Sequence, residues 1–520
     1  MNWSGLAGAL SIAVLVAGLA LGSRAASGGD SYGYVSQAQL WRQGSLIQPA
    51  PLARSAKWPN AAETLAPLGY RPARNAFAIV PTYAPGLPIL MALARVVGGP
   101  CAVYFVVPIS AALLVWLTYV LALRVSDPVV AAGSAMLVAT SPTLLFMTMW
   151  PMSDVPVSAF WIAALLSAWR GDRAGRAVLT GILTGIAILI RPNLVLLAVV
   201  PAGLVLHRAA TTGGTAMWRA VAAFAAGALP FVGAIVALNA FLYGSPLESG
   251  YGSLSRLYSV DRIQANFVRH VGWLYESQGP YLFACLIGLV VHVRRGASSL
   301  MLWGAGLLAL VWIAYLPYHV FSEWWYLRFL LPAFPVVCVL AVDGVAALAG
   351  RFGARVRLVV TGAFVLAAAA YGLSFAIERE IAGLGEGEQR AVEVGHFAKD
   401  DLPSNAMLIS GQQSGSLRYY SGRATLRYDR LDPAWLDRTV EQLRAMSYHP
   451  FAVLESWEEA TFRNHFRGQA TLKLLDASPA AVLDSNVSVS IYDLAPRLGD
   501  ARPASIRHIP RSQCREPEDR

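Results

Sequence analysis

Two carboxylates and two guanidiniums stand out by their surroundings. Asp30 lies in Gly-Gly-Asp-Ser-Tyr-Gly-Tyr, directly after an uncharged run over residues 5–22. A bilayer core takes about 20 apolar residues to span. A carboxylate held just outside such a span is placed to take a proton from a substrate docked at the membrane surface, which points to an enzyme acting on a lipid-carried substrate. Asp154 sits in Trp150-Pro-Met-Ser-Asp154-Val-Pro156, where one apolar run turns into the next. Helix capping alone accounts for either aspartate, and a substrate-facing role is the alternative. Arg191 interrupts an apolar stretch, and Arg328 falls at the start of another. A guanidinium at that depth needs an anionic partner or a solvated cavity. Two acids far apart in sequence, without Asp-x-Asp or a nearby histidine, point to no metal, and no resident cofactor is expected. No Ser-His-Asp set, phosphate-cradling glycine loop or Cys/His cluster occurs.

The elements that must position these groups follow from hydropathy. The chain has 520 residues, 56% hydrophobic and 14% charged. Soluble proteins carry about 25% charged residues, so this is the composition of a polytopic membrane protein. The net charge of +10 comes from short basic clusters between apolar runs, as in cytoplasmic turns, and does not mark a nucleic-acid binder. Eleven apolar runs predict about eleven transmembrane helices, with the N-terminus inside and the C-terminus outside. An uncleaved first helix reads better than a signal peptide, because no Lys or Arg precedes the run. The basic links 170–176, 207–219, 294–295 and 351–357 are expected on the cytoplasmic side. Residues 177–207 have basic flanks on both sides and break at Arg191-Pro192-Asn193. They form either two short helices with Arg191 at the tip or one tilted helix from which Arg191 snorkels.

The outer face then collects the chemistry. The first outer loop, 23–99, contains Asp30, Tyr34 and Tyr83. Residues 31–43 lack proline, and positions 34, 38 and 41 share one face, so a short amphipathic helix should lie on the membrane with Asp30 at its N-cap. Tyr83-Ala-Pro-Gly-Leu-Pro88 sets a turn and a helix start. Glu323, the aromatic pair Trp324 and Trp325, Tyr326 and Arg328 join them from the far end of the bundle. Tyr251, Tyr275 and Glu276 are candidate acceptor contacts. After the transmembrane module (1–377), residues 378–495 alternate short β-like runs with helical patterns, as a soluble α/β domain does. Residues 496–520 read as a disordered tail. Cys101, Cys285 and Cys338 read as small hydrophobes, Cys514 stands alone in the tail, and no disulfide framework is expected.

Taken together, Asp30-x3-Tyr34-x3-Ala38-x-Leu40, the Tyr83–Pro88 turn, Ser153-Asp154-Val-Pro156, Arg191-Pro192 and Arg328-Phe-Leu-Leu-Pro332 resemble the GT-C class of polytopic glycosyltransferases. The nearest likeness is to the bacterial branch related to protein O-mannosyltransferases and aminoarabinose transferases. The resemblance covers most of residues 1–377. One departure is Asp30-Ser-Tyr where relatives carry a paired acidic dipeptide. The resemblance implies a polyprenyl-phosphate sugar donor, a protein, lipid or glycan acceptor, and metal-independent inverting transfer on the outer face of a bacterial inner membrane, with the α/β domain periplasmic. It makes Asp30 the catalytic base. Arg328 and Arg191 would hold the phosphate, and Asp154 would orient acceptor or sugar, with Tyr34, Tyr83 and Glu323 as further substrate contacts. The rival readings are a lipid or sugar transporter or flippase, favoured by the break at Arg191, and a non-catalytic scaffold.

Overall fold

The computed structural model describes residues 2–74, 77–169, 174–210, 215–296, 300–496, 504–509 and 514. Each apolar run read from the sequence is helical, as a bilayer demands of backbone groups that water cannot satisfy. Among the described residues, six helices are long and apolar enough to cross a membrane. Two bent pairs, Pro128–Ala139 with Pro142–Thr148 (56°) and Ser255–Gln278 with Pro280–Arg295 (109°), raise the number to eight. Four shorter apolar helices accompany them: Gly86–Gly98, Asp154–Ala168, Ala174–Ile190 and Leu300–Tyr315. The chain breaks at Arg191, between helix Ala174–Ile190 and the turn Pro192–Ala198, so the single tilted helix is excluded. Pro192 supplies the reason, since it has no N–H to continue the ladder.

Two of the basic links carry a paired arginine. Asp343 accepts from Ser126 Oγ at 2.6 Å and pairs with Arg295 at 3.0 Å, while Arg357 pairs with Asp127. Arg170 and Arg173 of the expected cytoplasmic links lie outside the described residues.

In the first loop, β1 (Gln48–Pro49), β2 (Tyr70–Pro72) and β3 (Ala78–Pro81) form a small antiparallel sheet in the order β1-β3-β2. Beyond residue 400, β4 (Ala406–Ser410), β5 (Ala424–Arg427), β6 (His449–Glu455), β7 (Ala481–Leu483), β8 (Val489–Asp493) and β9 (Ala504–Ser505) build a six-stranded sheet in the order β5-β4-β6-β8-β7-β9. Its β5-β4-β6 half is parallel, and β8 runs antiparallel to both β6 and β7. Strand β9 comes from the segment expected to be disordered and pairs with β7; residues 497–503, 510–513 and 515–520 lie outside the described residues. A disulfide joins Cys101 to Cys514. This corrects the reading of both residues, because neither sequence neighbourhood reveals a partner 413 positions away.

The helix Asp30–Arg42 departs from expectation in two respects: Gly29, not Asp30, is its N-cap, and its surroundings are not a membrane surface. Residues 31–38 are all buried, so it does not lie with one face on a membrane surface. Helix Gly86–Gly98 packs against it on one side and helix Ser414–Ser421 on another.

Candidate active site

Asp30 is the first residue of its helix, with Gly29 at the N-cap and no side-chain cap. Capping therefore does not explain the aspartate. Its Oδ2 instead meets Arg328 Nη2 at 3.3 Å, 298 residues away in sequence. The Asp30 side chain is 34% exposed and that of Arg328 11%. Tyr83 neighbours the same carboxylate. Burial, aided by the Asp30 charge, holds the Tyr83 hydroxyl well above its ordinary pKa, so it stays protonated beside Asp30. Gly33 makes this contact feasible, because any Cβ there would collide with the Tyr83 ring. Tyr34 lies 4.8 Å from Tyr83, ring to ring, and Tyr251 closes edge-on at 5.8 Å.

Asp154 likewise opens its helix without serving as a cap, since Ser153 holds the N-cap position. Its Oδ1 accepts from Arg191 Nη1 at 2.6 Å. The side chains of Asp154 and Arg191 are 2% and 14% exposed, a much drier pair than Asp30–Arg328. The Tyr34 hydroxyl donates to Ser153 Oγ at 3.0 Å and so ties the first-loop helix to the start of the Asp154 helix. Phe329 sits between the two cations, with the guanidinium carbons of Arg191 and Arg328 at 5.1 and 5.3 Å from its ring centre. Tyr315 stacks on Phe329 at 4.6 Å and takes a hydrogen bond from Asn193 at 2.9 Å. Arg328 Nη1 also approaches Met152 Sδ at 2.9 Å. Arg328 Nε is buried and, among the described residues, has no hydrogen-bond partner.

The fold thus brings together Asp30, Tyr34, Tyr83, Asp154, Arg191 and Arg328. Glu323 does not join them. It is the exposed residue before the turn Trp324–Ala333, and its hydrogen-bond partner among the described residues is Ser322. Its spacing from Arg328 aims it elsewhere. Glu276 pairs with Arg379 at 2.5 Å on an exposed surface. Sequence reading missed Met152, Tyr315 and Phe329 as parts of the site. Tyr315-Leu-Pro-Tyr318, two tyrosines around a proline at the end of an apolar run, is the one local signal that marks such a cluster.

The approach to Asp30 is anchored from helix Ser414–Ser421 and its N-cap, Gln413. Ala26 N donates to Tyr420 Oη at 2.7 Å and Gly28 N to Gln413 Oε1 at 3.1 Å. Gly28 has φ 59°, a turn that favours glycine. Gln413 donates in turn to Glu455, which also pairs with Arg390 at 2.7 Å. Beside it, Glu458 accepts from Gln412 N at 3.0 Å, and burial pushes its carboxyl from 4.5 up to about 7. A raised carboxyl pKa means the fold prefers the protonated form, so stability is greatest below about pH 4.5 and is lost as pH rises towards 7. A shift of that size corresponds to about 3 kcal/mol. We expect Glu458→Gln to be more stable than the parent at pH 8 by about 1–3 kcal/mol, and the difference to vanish below about pH 4.5. Thermal unfolding at a series of pH values measures this, and equal gains at every pH would contradict it.

The sequence matches no protein-family model and no curated protein. Solved structures do match. ArnT from Cupriavidus metallidurans in the apo state superimposes with a TM-score of 0.54 at 13% identity, over 95% of this chain and 98% of that one. The same protein bound to undecaprenyl phosphate gives 0.54 at 13%, over 96% and 99%. Oligosaccharyltransferase AglB from Archaeoglobus fulgidus, in complex with an inhibitory peptide and a dolichol-phosphate, gives 0.52 at 12%, over 96% of this chain and 75% of that one. At such identities the likeness is one of fold, and both neighbours are GT-C glycosyltransferases. The chain has the fold that its sequence motifs resemble.

Proposed function

We propose that this chain is a membrane glycosyltransferase that moves a sugar from a polyprenyl-phosphate donor to an acceptor at the outer face of the membrane. One observation carries the reading: a partly exposed carboxylate, Asp30, stands beside the buried guanidinium of Arg328, whose Nε lacks a partner among the described residues. In an inverting single displacement, Asp30 accepts the acceptor hydroxyl proton as the oxygen bonds to the anomeric carbon. The bond from that carbon to the phosphate oxygen breaks, and the phosphate leaves with the electron pair. A phosphate needs no general acid, only cationic compensation in a water-poor site, which Arg328 offers. Tyr83 and Tyr34 fix the base. Asp154 is engaged by Arg191, so its role becomes that of holding this second cation near the leaving group, rather than orienting the acceptor. Glu323 is left as a rim contact.

The solved neighbours that bind undecaprenyl phosphate or a dolichol-phosphate support a lipid-phosphate donor. The outer-face assignment draws on the Cys101–Cys514 bond, since disulfides persist in oxidising compartments. With the apolar helices, this supports a bacterial inner membrane with the six-stranded sheet on the periplasmic side. The test is to reconstitute the protein in vesicles with labelled polyprenyl-phosphate sugar and extracted envelope acceptors. Label should appear on an acceptor while polyprenyl phosphate is released. Unchanged lipid crossing the bilayer would replace this reading with a flippase.

A further inference from the structure

The helix that carries Asp30 has a second functional face. At 100° per residue, Asp30, Tyr34 and Trp41 fall on one side, and Tyr32, Ser36, Gln39 and Gln43 on the opposite side. That opposite side walls a cavity of about 230 Å³, closed from beyond by helix Ser414–Ser421 and the end of helix Arg390–Asp400. The volume far exceeds the ~15 Å³ that one water needs.

Among the described residues, Lys399 and Arg418 are the cavity's charged lining, with no carboxylate. Tyr32, Tyr70 and Tyr419 supply aromatic faces, and Gln39, Gln43 and Gln48 supply amides at the rim. Tyr32 and Tyr70 lie 5.6 Å apart, and Tyr70 shares a 3.0 Å hydrogen bond with Ser36. Burial lifts the Tyr32 hydroxyl to about 12 and Tyr70 higher still, so both remain neutral donors. Each cation lies in the last turn of its helix, which the carbonyl ends there already favour. That local effect does not account for the tyrosines and amides gathered with the cations around an open volume. Tyrosine rings match the C–H faces of a sugar, amides match its hydroxyls, and the two cations match a carboxylate or phosphate substituent.

We propose that this cavity is a second ligand site, for an acidic saccharide, on the reverse of the helix that bears Asp30. A helix is about 10–12 Å across with its side chains, so a ligand here does not touch the reacting atoms. It would instead engage a remote part of a charged glycan and press the helix against Tyr83. The choice of a saccharide rests on the glycosyl-transfer reading; the preference for an anion rests on the two cations in the lining.

The probe is a galacturonic acid trisaccharide, titrated calorimetrically into the detergent-solubilised full-length protein, with neutral galactotriose as the control. Saturable binding of the acid, at least tenfold tighter than the neutral sugar, is expected. Arg418→Gln should weaken it at least tenfold. Because Arg418 also donates to the Leu65 carbonyl, Gln39→Trp, which fills the cavity from its half-exposed rim, serves as an independent variant and should do the same. Asp30→Asn should bind as the parent does. Equal affinity for both sugars, no binding of the acid, or unchanged affinity in folded Gln39→Trp protein would overturn the proposal. No step depends on turnover. Binding without transfer would leave this site standing while the enzyme reading falls, and transfer without binding would do the reverse.

Discussion

Asp30→Asn should abolish sugar transfer while leaving the protein folded and able to bind its lipid donor. A positioned general base contributes typically ~10²–10⁴ in rate, and asparagine is nearly isosteric but accepts no proton. The Asp30–Arg328 contact, at 3.3 Å and one-third exposed on the acid side, is no strong prop of the fold. Its loss should therefore change the unfolding temperature little. Removing the carboxylate also frees Arg328 for the anion it is proposed to grip, so donor phosphate binding should hold or tighten. Initial rates with labelled donor, beside donor-induced thermal stabilisation, measure both halves. Parental turnover by the variant would remove Asp30 from the mechanism. A collapse in folding would recast it as a structural anchor.

The second large effect concerns Asp154 and Arg191. Arg191→Met alone strips a counter-charge from a carboxylate 2% exposed, and breaking such a pair costs about 3–5 kcal/mol. The same change in the company of Asp154→Leu leaves neither member of the pair as an unpaired buried charge, while Arg328 keeps Asp30, and most of that loss should return, because apolar replacements of a buried pair are often neutral. Unfolding of the two single variants and the double gives the coupling energy directly. A double variant as unstable as the sum of the singles would show that the pair is not the unit we describe. The folded double variant should also transfer sugar poorly, since one of the two cations around Phe329 is gone. Full turnover would confine Arg191 to a structural part.

Local chemistry made much of this legible before any coordinates. In a bilayer, backbone hydrogen bonds must close within the segment, so uncharged runs near 20 residues dictate helices almost regardless of their neighbours. Pro192 broke the chain where it stood, and a charge at membrane depth advertised itself because solvation there is costly. Hence Asp30, Arg191 and Arg328 could be singled out from residue type and depth alone.

Pairing was another matter. Whether Asp154 capped its own helix or reached Arg191 depended on how two helices pack, and either outcome satisfies the same hydrogen-bonding need. The partners Asp30 and Arg328, and Cys101 and Cys514, meet across 298 and 413 positions. Glu323 and Arg328, five apart, part company because the turn between them points one outward and the other in. Periodicity said that the Asp30 helix had two faces, but only its burial between helix Gly86–Gly98 and helix Ser414–Ser421 made residues 31–38 interior on both. Short-range forces act within a few residues and leave their mark in composition; the contacts that build a site are settled by long-range packing, which no window of sequence contains.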